Sequence, residues 1–141
     1  MCKFYLCKIC GNIIEKVEDS GIAPFCCAKK MSLLDPQENE VAHEKHVPVA
    51  TVTQLPQLTL DASGKVAKLV HIEVGSVPHP SLNNHYIKWI QLVTDKGVYR
   101  RHLEPGEKPE VDFILCDCEK TLQVYAYCNL HGLWVCKKCQ N

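Results

Sequence analysis

Gly75-Ser76-Val77-Pro78-His79-Pro80-Ser81-Leu82-Asn83-Asn84-His85-Tyr86-Ile87-Lys88-Trp89-Ile90 changes character partway along its length. Through His85 it cannot be a central strand, because Pro78 and Pro80 lack amide donors and fix the backbone on both sides of His79. From Tyr86 onward it alternates as a strand does. The stretch therefore predicts a rigid loop that brings His79 and His85 to one face, followed by a strand that anchors His85.

The flanking sequence repeats the strand pattern. Val49–Thr53, Val66–Val74, Tyr86–Val93, Val98–His102, Val111–Leu115 and Leu122–Tyr127 are short runs rich in β-branched and aromatic residues. Turn signals separate them at Asp61-Ala62-Ser63-Gly64, Asp95-Lys96-Gly97 and Glu104-Pro105-Gly106-Glu107. No segment carries helical periodicity with caps. Strands at this spacing predict an antiparallel β-sandwich.

Two other segments add metal-ligand chemistry to this frame. Tyr127-Cys128-Asn129-Leu130-His131-Gly132 sets a thiolate and an imidazole three positions apart, with a glycine to turn the chain. Ala42-His43-Glu44-Lys45-His46-Val47-Pro48 reads as a charged loop whose exit is stiffened by Pro48. His46, His79, His85 and His131 with Cys128 make a set of four imidazoles and one thiolate. That set favours iron with an open coordination position, with copper and zinc as alternatives.

The N-terminal segment is built differently. Cys7-Lys8-Ile9-Cys10-Gly11-Asn12 points two sulfurs at one place, and Cys26-Cys27 offers two more. Four thiolates suit a tetrahedral ion, either structural zinc or iron. A segment this short has too little apolar mass to fold alone, so the ion supplies most of its folding free energy. Met31 is expected to pack over the module. Leu34-Asp35-Pro36-Gln37-Glu38-Asn39-Glu40 is polar and proline-containing, and it reads as the linker.

Composition narrows the function. The chain has 141 residues, 46% of them hydrophobic, enough for a real core. Lys and Arg total 16 against 16 Asp and Glu, with no basic block. That balance argues against nucleic acid or an anionic membrane as partner. The first residues lack the apolar run of a signal peptide, so a cytoplasmic location is expected. Ten cysteines in a reducing compartment read as metal ligands before they read as disulfides.

These pieces, in this order, resemble the desulfoferrodoxins, the two-iron class of superoxide reductase. The likeness lies in Cys7-Lys8-Ile9-Cys10-Gly11-Asn12, Cys26-Cys27, Glu44-Lys45-His46-Val47-Pro48, Gly75-Ser76-Val77-Pro78-His79-Pro80, His85-Tyr86-Ile87-Lys88-Trp89-Ile90 and Tyr127-Cys128-Asn129-Leu130-His131-Gly132. It implies a mainly β chain in two parts. Residues 1–36 would form a desulforedoxin-like module with a rubredoxin-like iron on Cys7, Cys10, Cys26 and Cys27. Residues 37–141 would form an immunoglobulin-like β-sandwich with a second iron, His46, His79, His85 and His131 equatorial and Cys128 axial.

The resemblance also implies the activity. Superoxide is reduced by one electron to hydrogen peroxide at the ferrous centre, and an external donor such as rubredoxin restores the electron. Lys45 would draw the anion in, and Glu44 would take the open position on ferric iron. The backbone N–H groups of Asn129 and Leu130 would tune the sulfur, and a homodimer is expected. His43, His71 and His102 match no ligand position.

The chain departs from the family pattern at several points. Ala28 stands where a glycine usually follows the paired cysteines. Cys2, the Cys116-Asp117-Cys118 pair and the Cys136-Lys137-Lys138-Cys139 pair are additional. The extra pairs read as a third metal site, a redox disulfide, or reduced thiols on a strand end and a frayed tail. Three other functions compete with the reductase. They are a non-enzymatic electron-transfer or zinc-structural module, a superoxide dismutase, and an enzyme using Cys128 as nucleophile with His131 as base.

Overall fold

The computed structural model describes residues 2–37, 43–60, 62 and 64–136, with the side chains of His43 and Glu44 outside the description. The chain divides into two compact units, Met1–Pro36 and Gln37–Asn141.

In the first unit, β1 (Lys3–Leu6) is paired on one side with β2 (Ile13–Lys16) and on the other with β5 (Ser32–Leu34). A separate ribbon pairs β3 (Phe25–Cys26) with β4 (Lys29–Lys30). The core cluster here is small. Tyr5, Cys7 and Met31 are buried, with Ala23 and Cys26 against them. Met31 thus packs where the sequence places it.

The second unit opens with a single helical turn, α1 (His43–His46), where the sequence suggests only a charged loop. Seven strands follow: β6 (Pro48–Thr59), β7 (Val66–Val74), β8 (Ile87–Thr94), β9 (Val98–His102), β10 (Glu110–Cys116), β11 (Thr121–Cys128) and β12 (Gly132–Cys136). They form two antiparallel sheets, in the orders β10-β7-β6 and β12-β11-β8-β9. The architecture is an immunoglobulin-like sandwich.

Period-two alternation explains the core. Val70, Ile72 and Val74 of β7 face Ile90 and Leu92 of β8 and Val124, Ala126 and Cys128 of β11 across one cluster. The last inward position of β11 is therefore a cysteine, buried at the end of the sandwich. A register shift between Tyr127 and Cys128 lets Ile87 join the same core.

Two strands differ from expectation. β12 follows a turn closed by Gly132, whose φ of +76° explains the glycine. No strand pattern marks β12 in the sequence, because β12 begins in the metal-ligand turn. It places Cys136 in a strand, partly buried against the core, not in a frayed tail. Cys139 lies outside the described residues. β6 continues past Thr53 to Thr59, with an irregularity after Leu55. Among the described residues no helix is long and apolar enough to cross a membrane.

Candidate metal centres

In the first unit the chain turns sharply at Cys7–Asn12. The amide of Cys7 donates to Asn12 O at 2.9 Å and that of Gly11 to Cys7 O at 2.9 Å. Backbone N–H groups of Cys10 and Ile9 donate to the Cys7 sulfur and hold its pKa down at about 7. The other pair sits on the β3–β4 hairpin. Cys26 pairs with Lys29, so Cys27 and Ala28 are the two turn residues. Their φ values, 49° and 59°, are both positive, the pattern of a type I′ turn. This is how adjacent cysteines splay toward one point. Ala28 occupies a left-handed position that favours glycine.

The four sulfurs lie within 4.8 Å of one another. Cys10 and Cys26 are separated by 3.6 Å, Cys26 and Cys27 by 4.0 Å. A metal–sulfur bond of about 2.3 Å in a tetrahedron sets sulfur–sulfur edges near 3.8 Å. Beyond Cys7, the paired cysteines resist ionisation. Hydrogen bonding with Cys10, then with Cys26 and Cys7, pushes the Cys27 thiol to about 12.

The second centre assembles at one end of the sandwich. His46 ends α1 and lies flat on Trp134 of β12, with ring centroids 4.6 Å apart and planes 19° from parallel. His79 Nδ1 bonds to Pro80 O at 2.6 Å, which makes Nδ1 the protonated nitrogen. Nε2 is then a bare acceptor, and it is buried without a partner. Gly75 makes the approach possible. Its φ is +88°, and a Cβ there would stand 2.4 Å from Val77 O and 2.7 Å from Lys45 O. Its amide donates to Val47 O at 3.1 Å, docking the His79 loop on the segment that follows His46.

His85 closes a tight bridge with Leu82, the two exchanging backbone bonds at 2.9 and 3.0 Å. Asn129 fastens this loop to the Cys128–His131 turn. Its side chain accepts from Tyr86 N at 2.9 Å and donates to Asn84 O at 3.0 Å, while its amide donates to Tyr86 O at 3.1 Å. The Asn129 amide therefore does not serve the sulfur. The Cys128 sulfur instead receives the N–H groups of His131 and Leu130. Gln37, read from sequence as linker, donates through Nε2 to His131 O at 2.9 Å and through its amide to Leu133 O at 2.8 Å.

The four imidazoles form a closed square. Adjacent centroids are 4.7 Å (His46–His79), 4.6 Å (His79–His85), 4.8 Å (His85–His131) and 4.6 Å (His131–His46), each pair close to perpendicular. The diagonal His46–His85 is longer, 6.2 Å. Nε2 of His46 and of His85 lie 2.8 and 3.2 Å from His131 Nδ1, and Cys128 Sγ lies 3.6 Å from that nitrogen. Metal–nitrogen bonds of about 2.1 Å at right angles give neighbouring nitrogens about 3.0 Å apart. All five donor atoms lie within 4.8 Å of one another. The orphaned His79 Nε2 and these edges fit a metal ion.

The electrostatics agree with the geometry. Burial, with repulsion from the other imidazoles, lowers the His79 pKa to about 4 against the opposing Pro80 bond. His85 is lowered by burial, then by His131 and by the charge of Lys45. Burial raises the Cys128 thiol. A proton is thus unwelcome on His79 and His85, and a divalent cation would turn the Cys128 thiol into a thiolate.

Lys45 is exposed, and the Glu44 side chain lies outside the described residues. His71 takes no part, its ring bonding Asp112 at 2.6 Å on the outer sheet face, and His102 is exposed. Sequence reasoning missed the Asn129 clamp and Gln37. A polar side chain that bonds backbone far along the chain leaves no local signal.

The desulfoferrodoxin family model matches residues 38–137. Desulfoferrodoxin from Syntrophotalea carbinolica is 42% identical over 130 residues, 92% of this chain and 91% of that protein. Desulfoferrodoxin from Nitratidesulfovibrio vulgaris is 39% identical over 134 residues, 94% of this chain and 93% of that protein. The crystal structure of superoxide reductase from Treponema pallidum superposes with a TM-score of 0.73 at 31% identity, covering 97% of this chain and 98% of that one. Iron is the cofactor, and the likeness supports an oxidoreductase. With sequence similarity over nearly its whole length and two donor sets of the right chemistry, the chain belongs to the desulfoferrodoxin family.

Proposed function

We propose that the chain is a superoxide reductase, reducing superoxide to hydrogen peroxide at an iron held by His46, His79, His85, His131 and Cys128, with residues 37–141 as the catalytic domain. The observation that carries this reading is the gradient of burial across the five donors. Cys128, His46 and His79 are buried, His85 is partly exposed and His131 is exposed. A structural ion is closed in by its ligands, whereas a reacting one keeps an open side.

Bound iron supplies the single electron that superoxide takes up. The rest falls to the chain. Lys45, whose charge reaches His85, attracts a small anion and donates a hydrogen bond to its oxygen. Water at the exposed His131 side provides protons for the product. The Pro80 bond keeps His79 in the tautomer that presents Nε2. The N–H groups of Leu130 and His131 steady the negative charge on Cys128. Glu44 would occupy the open side of the bound iron once product has left, a role supported by the family resemblance.

Residues 1–36 hold a rubredoxin-like iron through Cys7, Cys10, Cys26 and Cys27. Turnover consumes an electron, so a small carrier such as rubredoxin is the donor. The resemblance also favours a homodimer working in the cytoplasm.

The test is stoichiometry under pulsed superoxide. One peroxide is expected per superoxide consumed, with one reductant electron used and no dioxygen released. Dioxygen released in an amount equal to peroxide means dismutation and overturns the reading. Lys45→Ala is expected to slow the reaction roughly tenfold at low salt and to flatten its ionic-strength dependence, leaving the visible spectrum unchanged.

A further inference from the structure

The turn joining β10 to β11 carries two thiols that neither metal centre uses. Cys116 ends β10, Cys118 follows the intervening Asp117, and the Glu119 amide closes the turn on Cys116 O at 3.0 Å. Both cysteines are free, and their sulfurs lie within 4.8 Å of each other. Cys118 is exposed and Cys116 partly so. Neither belongs to the packed core.

The turn is held from beneath by two charged residues that the sandwich buries. Lys68, 5% exposed, donates through Nζ to Asp117 O at 3.2 Å and to Glu119 O. Glu119, also 5% exposed, accepts from Tyr99 OH at 2.9 Å and from the Thr94 hydroxyl. The Asp117 amide donates to Val66 O at 3.0 Å. Burying an ammonium and a carboxylate to fix a four-residue turn is expensive unless their partners are this complete. The consequence is a pair of sulfurs, one exposed and one partly so, on a backbone held in place by these bonds.

We propose that Cys116 and Cys118 form a reversible redox pair that closes to an intramolecular disulfide on meeting hydrogen peroxide. In the first step the Cys116 thiolate attacks one peroxide oxygen, the O–O bond breaks, and a sulfenic acid and hydroxide result. In the second the Cys118 sulfur attacks the sulfenic sulfur, the S–O bond breaks, and water leaves. Two thiols lose two electrons and two protons, and one peroxide becomes two waters. Hydrogen bonding with Cys116 raises the Cys118 thiol, which makes Cys118 the proton-holding, resolving partner. The pair shares no residue with the five-donor centre and does not depend on how that centre reacts.

The experiment uses the full-length, iron-loaded protein in its ferric form. It is exposed to a few equivalents of hydrogen peroxide, quenched with catalase, alkylated with iodoacetamide and digested with trypsin. The peptide of residues 102–120 has Cys116 and Cys118 as its only cysteines. It is expected to appear unalkylated and lighter than the dithiol by two hydrogens, and to return to the doubly alkylated mass after dithiothreitol. Cys118→Ser is expected to abolish that loss and to leave Cys116 trapped by dimedone as sulfenic acid. Recovery of a doubly alkylated peptide after peroxide overturns the proposal. So does a cross-link from either cysteine to Cys136, or protection of both thiols by bound zinc.

Discussion

In the first unit four sulfurs come from two nearby turns, and the apolar cluster described against them is small, with Tyr5 and Met31 buried beside Cys7. In the second, donors as far apart as His46 and His131 meet at the end of a sandwich whose described core cluster, running through Val70, Ile72, Ile90, Leu92 and Val124, takes in Cys128 as its last member. The donors of the small unit replace a core, whereas those of the large one are set upon a core. Metal should therefore be a folding requirement in one place and a cargo of a finished scaffold in the other.

The strongest way to break this comparison is to remove the metal. Cys10→Ser, or iron stripped by chelation, is expected to cost the first unit on the order of 10 kcal/mol of coupled binding and folding free energy. Limited proteolysis should then cut within residues 2–36 while β6–β12 stay intact. A first unit that still resists protease without metal would show that its small apolar cluster suffices.

Gly75→Ala tests the converse, that the large centre depends on backbone fit. The added methyl meets two carbonyl oxygens in a left-handed conformation, so about 3 kcal/mol and roughly 10 °C of melting temperature should be lost. Iron should also come off more readily to a competing chelator. An unchanged melting point would mean the His79 loop docks some other way.

Asn129→Ala sharpens the same point. It removes two side-chain bonds, each worth about 1 kcal/mol, between the His85 loop and the Cys128 turn. The sandwich should stay folded while iron affinity falls by roughly tenfold or more, read by chelator competition. Loss of stability with affinity intact would make Asn129 a purely structural residue.

The smallest effect returns to the first unit. Ala28→Gly relieves a left-handed alanine but adds freedom to the unfolded chain, so a gain of no more than about 1 kcal/mol is expected. Thermal release of iron from the four-sulfur site is the measurement. A loss of stability would show that the alanine methyl makes a useful contact.

The sequence spoke plainly where chemistry is local. Cys7-Lys8-Ile9-Cys10-Gly11-Asn12 is a turn by its glycine and a ligand pair by its spacing, and Gly11 does adopt a φ of +78°. Alternation made β7 legible, where Val70, Ile72 and Val74 are buried in turn, and β-branched and aromatic content between turn signals marked its neighbours. What stayed hidden depends on distant partners. α1 is one turn, too short for a periodicity to register. Gln37 and Asn129 act by bonding backbone across long separations, and such bonds follow from the completed fold. Nothing in the sequence marks Lys68 or Glu119 as buried, and only the completed fold, which leaves each 5% exposed, distinguishes them.

His46 lies flat against Trp134, which puts an indole one ring away from the proposed iron. A neighbouring paramagnetic ion drains the excited state of an indole. The other tryptophan, Trp89, is stacked on Tyr127 with ring centroids 5.5 Å apart, and the Arg100 guanidinium lies over its ring. The emission of Trp134 therefore gauges occupancy, quenched when the histidine square is filled and restored when it is emptied.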